Sequence, residues 1–454
     1  MPPAGAHQAG PMTRKRRRKA NRPNAPATLD TAIRLHRAGR LTEAEQAYRR
    51  VLDASPDSVQ AVYLFGVVTR QLGRADEAAM LFRRAVSYEP DHAAALAELA
   101  KLYQEQGLLE ASLAVLRRLV AIRPDLGDLY NNMGIVLRRL KRPGEARDAY
   151  LKAIDLGANR AETHYNLGCV MQALGQHHEA AASYREAIAL EPGMADAHRR
   201  LAGVLRSSGN LKAAGEAIEG WLRHDPDNPV ACHMASALSG QDIPARASDA
   251  YIRGVFGRFA ETYDEELKQL GYQGPRLIAD AVSVQLGGKG RQLTVLDAGC
   301  GTGLCGPVLR SISRQLVGVD LSAEMVERAR TLGVYDDLVV AELIGYLNRQ
   351  RSRFDLIVAA DTFNYFGALE ELLAAARGAL REAGLLIFTL EQLDASGSAV
   401  DHCLNPHGRY SHTEDYVKRC TARCQLTVNG ADTAVLRRES GRPAVGLVVR
   451  AQKK

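Results

Sequence analysis

Val295-Leu-Asp-Ala-Gly-Cys-Gly-Thr-Gly-Leu-Cys-Gly306 is the stretch whose reading decides the fold. A short apolar run closes at Asp297, and glycines alternate through Gly299, Gly301 and Gly303. This reads as a strand, a tight turn and the start of a helix. Glycine lacks a Cβ, so the backbone turns sharply there and lets a ligand approach its N–H groups. The helix after the turn offers unpaired donors and a positive dipole end to an anionic group. The pattern predicts the nucleotide crevice of a doubly wound α/β sheet.

Strands and helices alternate downstream, as such a sheet requires. Strands are expected at about 292–297, 315–319, 337–341, 354–359 and 384–390, with an antiparallel hairpin from the tail 425–451. Leu316-Val-Gly-Val-Asp320 ends the second strand in an acid, and Ser322 is placed to cap the next helix. Gly301-Thr-Gly-Leu-Cys-Gly306 also satisfies G-x-G-x-x-G, so an NAD-dependent oxidoreductase is a competing reading. It is disfavoured because no Tyr-x-x-x-Lys or similar hydride-transfer set comes after it.

The wider pattern, Asp297-x-Gly-x-Gly-x-Gly303 with Asp320 at the next strand end, resembles the class I S-adenosylmethionine (AdoMet) dependent methyltransferases. The resemblance implies that Gly299, Gly301 and Gly303 form the turn under the methionine part of the cofactor and that Asp297 helps hold its amino group. It implies that Asp320, with Leu321 beside it, takes the ribose hydroxyls, and that Glu342 faces the adenine. It also implies that Asp361-Thr-Phe-Asn-Tyr-Phe366 meets both cofactor and acceptor. Tyr251, Phe256, Phe259 and Tyr263 read as an apolar helix stripe. The same resemblance makes Tyr263-Asp264 part of a lid over AdoMet.

Methyl transfer needs positioning above all, and a base only for a poor nucleophile. Asp361, Tyr365 and His412 are the candidate catalytic groups, with Glu391 and Arg409 nearby in the sequence pattern. Gly408-Arg-Tyr-Ser-His412 reads as a loop before a helix near Thr413. Cys420 and Cys424 stand four apart near several histidines, but the spacing fits no common zinc site, and no metal is expected.

Upstream, proline recurs at Pro56, Pro90, Pro124, Pro192 and Pro226, spaced by 34 or its multiple, with Ala158 in the missing slot. Glycine keeps that period at Gly39, Gly73, Gly107, Gly175 and Gly209, with Lys141 in its gap. Small residues run from Ala44 to Ala214, each followed four later by a large apolar one such as Tyr48 or Phe82. This register resembles tetratricopeptide repeats, about six of them. The resemblance implies an all-α solenoid with a groove for a protein or peptide, and Asn132 and Asn166 are its candidate lining residues. Trp221 in the sixth repeat and an apolar helix after Pro229 suit the end of the array.

The expected organisation is a disordered basic tail (1–25), a repeat solenoid (26–239), a linker and helical lid (240–290) and a Rossmann-like domain (291–454). The seven cations from Arg14 to Arg22 precede the first acid and account for the whole net charge of +7. A basic folded surface for nucleic acid is therefore not indicated, the tail aside. No run is long and apolar enough to span a membrane, no secretory signal is evident, and scattered cysteines fit a reducing, cytoplasmic setting. A methyltransferase whose repeats recruit a partner is the leading expectation. A non-catalytic repeat scaffold with an AdoMet-binding domain is the other.

Overall fold

The computed structural model describes residues 28–287, 292–394, 400–439 and 441–454; the tail at 1–25 lies outside them. The chain divides into two compact units, one up to Asn159 and one from Arg160 to Lys454.

The first unit contains four helix pairs. They are α1 (Leu29–Arg37) with α2 (Leu41–Ala54), α3 (Val59–Gln71) with α4 (Ala75–Tyr88), α5 (Ala93–Glu105) with α6 (Leu109–Ile122), and α7 (Gly127–Arg139) with α8 (Pro143–Asp155). The periodic residues do what the spacing requires. Gly39, Gly73 and Gly107 turn each pair in the left-handed region, and Lys141 adopts φ +57° where glycine is missing. Ala44, Ala78 and Ala146 are fully buried between helices. Ser112 takes the same slot and donates its hydroxyl to the Ala100 carbonyl at 2.9 Å. Gly66 and Gly134 lie against the Phe82 and Tyr150 rings, where a Cβ would come within 2.7 Å. Arg84 and Arg118, one period apart, each donate to the proline carbonyl of the preceding repeat, at Pro56 and Pro90.

The second unit opens with repeats five and six: α9 (Ala161–Ala173), α10 (His177–Leu190), α11 (Ala195–Ser207) and α12 (Leu211–His224). Trp221 is buried in α12, and α13 (Pro229–Ser239) packs on that helix before Gly240 ends it in the left-handed conformation. Helix α13 also docks repeats five and six to the α/β domain. His233 donates from Nε2 to the Gly408 carbonyl at 2.9 Å, and its ring lies 3.9 Å from that of Tyr251. The linker is strapped down too, since the Ala245 carbonyl accepts from the Gly367 and Ala368 amides at 2.8 and 2.9 Å. Helices α14 (Asp249–Phe259), α15 (Tyr263–Gln269) and α16 (Gly274–Leu286) lead into the sheet.

Next in chain order are β1 (Leu293–Ala298), α17 (Gly306–Arg310), β2 (Ser313–Asp320), α18 (Ala323–Thr331), β3 (Asp337–Val340), α19 (Leu343–Asn348) and β4 (Phe354–Ala359). Then come a short 3₁₀ turn (Phe363–Tyr365), α20 (Glu370–Ala379), β5 (Leu380–Gln392), β6 (His402–Leu404), β7 (Tyr410–His412), α21 (Glu414–Arg423), β8 (Leu426–Glu439) and β9 (Arg442–Lys453). Strands β3-β2-β1-β4-β5 are parallel in that order, and β9 joins β5 antiparallel with β8 outside it. The central strands β1, β4 and β5 are largely apolar and buried because both faces are covered. Val295, Leu316, Leu356 and Ile387 meet α16 and α17, while Leu296, Val317, Ile357 and Phe388 meet α19, α20 and α21. The order reverses between β1 and β4, which opens a crevice at their carboxyl ends. Gly408–His412, read as a loop, instead contributes β7, which pairs with the end of β5. No helix among the described residues is long and apolar enough to cross a membrane.

Candidate active site

A cavity of about 470 Å³ occupies the crevice. Gly299, Gly301, Asp320, Leu321, Glu342, Asp361, Tyr365 and, from the lid, Tyr263 all line it. At the floor, Gly299 and Gly301 hold φ of +75° and +54°. A Cβ on Gly301 would meet no protein atom within 4 Å, so its absence leaves open space for a ligand. The Asp320 carboxylate ties the turn together: it accepts from the Gly301 and Ser322 amides, each at 2.9 Å. Burial raises its pKa, and those amide bonds work against the rise.

The glycine motif divides into a lining half and a supporting half. Asp297 is 1% exposed, accepts from the Tyr335 hydroxyl at 2.7 Å and does not line the cavity. Burial pushes its carboxyl up to about 7, against the pull of Tyr335. Gly303 is also absent from the wall; a Cβ there would come within 2.8 Å of Leu332. These two residues, expected at the cofactor, support the turn from behind. Glu342 lines the cavity but accepts from the Ile344 and Gly345 amides, at 3.0 and 2.6 Å, and so caps α19.

The lid closes over the crevice. Thr302 donates to Asp264 at 2.5 Å, joining the glycine turn to α15. Phe256 stands edge-on to Tyr263 at 5.8 Å and to Tyr365 at 5.5 Å. The Phe259 side chain lies outside the described residues.

Around Asp361 the structure adds an ion network. Arg437 is 2% exposed and donates to Asp361 and Glu439, each at 2.8 Å, and to Glu391. Arg409 donates to Glu391 at 2.7 Å and to Glu439, and His407 stands 3.2 Å from Glu391. Burial works to raise the Glu391 carboxyl, but His407, Arg409 and Arg437 outweigh it and hold it well below the usual range. Asp361 sits at φ +56°, a costly conformation for a non-glycine residue. It is held there by its amide bond to Thr389, 2.8 Å, and its carboxylate bond from Asn364, 3.1 Å.

Comparison with known proteins agrees with this geometry. A methyltransferase-domain family matches residues 296–388, and tetratricopeptide-repeat families match 16–59, 29–87, 69–133, 125–190 and 165–229. The C-terminal part is a methyltransferase domain and the N-terminal part a tetratricopeptide-repeat array. Human methyltransferase-like protein 27 is 38% identical over 110 residues, 24% of this chain and 44% of its own. A malonyl-[acyl-carrier protein] O-methyltransferase of Yersinia pestis is 34% identical over 100 residues, 22% of this chain and 35% of its own. The chain thus spans less than half the length of these two relatives. A solved repeat protein, YrrB, matches at 19% identity with a TM-score of 0.38, over 42% of this chain and 97% of its own.

Within the methyltransferase domain, His412 is misplaced as a candidate base. It is fully buried in β7, donates to the Gly367 carbonyl at 3.1 Å and lies outside the cavity wall. Burial, helped by His402, lowers its pKa to about 4. Sequence reading missed Arg437, which lies in the charged run Arg437-Arg438-Glu439 at the end of a long hairpin strand, where nothing in the sequence marks it as buried. Cys420 and Cys424 both turn to Glu370 instead of to each other or a histidine. In the repeats, Asn132 is exposed and Asn166 is buried.

Proposed function

We propose that this chain is a class I AdoMet-dependent methyltransferase whose repeats recruit a protein or peptide, as substrate or as scaffold. The observation that carries this is the cavity at the strand-order reversal, floored by the open Gly301 turn and flanked by the Asp320 carboxylate. The residues fit the cofactor. The remaining lone pairs of Asp320 are placed for ribose hydroxyls, and Leu321, Met325 and Leu343 give apolar walls for an adenine. Glu342 is the acid at the adenine end, and Tyr263 covers the site from the lid. Bound AdoMet supplies a methyl group already activated on a sulfonium. The chain's own task is to align an acceptor and exclude water. Asp361 and Tyr365 stand at the acceptor end; with its carboxylate held by Arg437, Asp361 is suited to orientation more than proton removal. Seven cysteines, all free thiols, support a reducing, cytoplasmic setting. The repeat–enzyme boundary is placed near residue 240, with Asn132 and Asn166 proposed on the partner side.

Calorimetric titration with S-adenosylhomocysteine, with NAD for comparison, tests this. S-adenosylhomocysteine alone should bind. Asp320→Asn should weaken it about 10- to 100-fold, the loss of a charge-assisted hydrogen bond worth roughly 1.5–3 kcal/mol. Equal affinity in the variant refutes the role of Asp320. NAD binding, or none of either, refutes the reading.

A further inference from the structure

The cavity wall includes a side chain from the repeats. Arg206 lies in the last turn of α11, the first helix of repeat six, and lines the same cavity as Gly301 and Asp320. Every other arginine in the wall has an acid. Arg246 pairs with Asp249 at 2.7 Å, and Arg409 and Arg437 share Glu391 and Glu439. Arg206 has no hydrogen bond or ion pair to any described residue.

The repeat register shows what is missing. Arg70 holds the equivalent position in repeat two, and it pairs with Glu98 and Glu105 of the next repeat, the latter at 2.8 Å. The matching positions after Arg206 are Met234 and Gln241. The acids that neutralise Arg70 are absent after Arg206, as they are after Arg138 of repeat four, where Asn166 and Ala173 hold those positions; but Arg138 is exposed to water, whereas Arg206 is half-buried in the cavity wall. A helix C-terminus favours a cation, but that interaction leaves the guanidinium's five N–H donors unused. A half-buried, unpaired guanidinium is costly unless something completes it, and its planar fork suits two oxygens of one anion. Arg409, Glu439 and Tyr251 are the groups whose fields reach it, so it belongs with the charges around Asp361.

We propose that the methyl acceptor carries an oxyanion, a carboxylate or a phosphate, that docks on Arg206, so that repeat six forms one wall of the acceptor site. This rests on the AdoMet reading above and extends it. The array then does more than recruit: removing its last repeat removes a specificity residue.

The test is titration of the full chain, saturated with S-adenosylhomocysteine at low salt, with succinate and separately with inorganic phosphate. One saturable site is expected for at least one of them, and which one binds tells carboxylate from phosphate. Arg206→Gln should weaken that site at least tenfold, and Arg206→Lys should keep part of the affinity. The exposed Arg253→Gln should change nothing, and S-adenosylhomocysteine affinity should stay within twofold in all three. If neither anion binds while S-adenosylhomocysteine does, or if Arg206→Gln binds like the wild type, the inference is overturned and the cofactor reading stands. If S-adenosylhomocysteine itself does not bind, the cofactor reading fails and this inference falls with it.

Discussion

Replacing Arg437 by Met should unsettle the methyltransferase domain more than any exposed substitution. Arg437 is 2% exposed and is the common partner of Asp361, Glu391 and Glu439. Methionine keeps much of the volume but removes the charge, leaving three acids to share Arg409 and His407. Breaking a buried ion pair from one side costs about 3–5 kcal/mol, because the uncompensated charge stays buried. At roughly 2–4 °C per kcal/mol, the melting midpoint should fall by about 6–20 °C. Scanning calorimetry is the suitable assay, because the single tryptophan, Trp221, reports on α12 and not on the sheet. Adding Glu391→Gln removes the most heavily paired of the stranded acids and should recover at least half of the loss. The deficit should also narrow on acidification. In the wild type the depressed Glu391 contributes stability above about pH 4, its unfolded range, and loses it as the pH falls towards the folded value. A single-variant loss under about 1 kcal/mol, or a double variant with simply additive losses, refutes the view of this network as one coupled unit.

Two further predictions concern groups whose environments are fixed by the fold. Asp297→Asn keeps an acceptor for Tyr335 but removes a carboxyl whose folded pKa is about 7. A raised folded pKa gives stability that is full below about pH 4 and lost as the pH rises through 7. The wild type should therefore lose up to about 4 kcal/mol relative to the variant between those limits; a pH-independent difference in midpoint between pH 5 and 8 shows that Asp297 is not so perturbed. Lys141→Gly should stabilise the first unit by about 0.5–1 kcal/mol, since glycine adopts φ +57° without the Cβ clash. A lowered midpoint shows that the lysine side chain contributes more than its backbone costs.

The division between what sequence determined and what the folded chain decided comes from range. The 34-residue period and the glycine turn act within a few residues, through steric freedom at Gly39 or Gly301 and burial at Ala44, so both domains are legible in one dimension. Even the exception was visible, since Lys141 takes the left-handed turn its slot demands. The cavity-lining acids Asp320 and Glu342 were legible from their places at strand ends. Whether a motif residue lines the cavity was not, because Asp297 and Gly303 differ from Gly301 only in which side of the turn they face. His412 looked free in a presumed loop, and three residues of pairing with β6 and β5 buried it. The charged wall of the cavity was the least legible part. Arg206, Asp361, Arg409 and Arg437 come from a repeat helix, the turn after β4, the loop before β7 and strand β8. Sequence alone determined the two folds and the glycine turn, because those depend on local backbone chemistry. Tertiary structure alone decided the charged wall of the cavity, because charges far apart in the chain acquire partners, or go without one, only when packing brings them together.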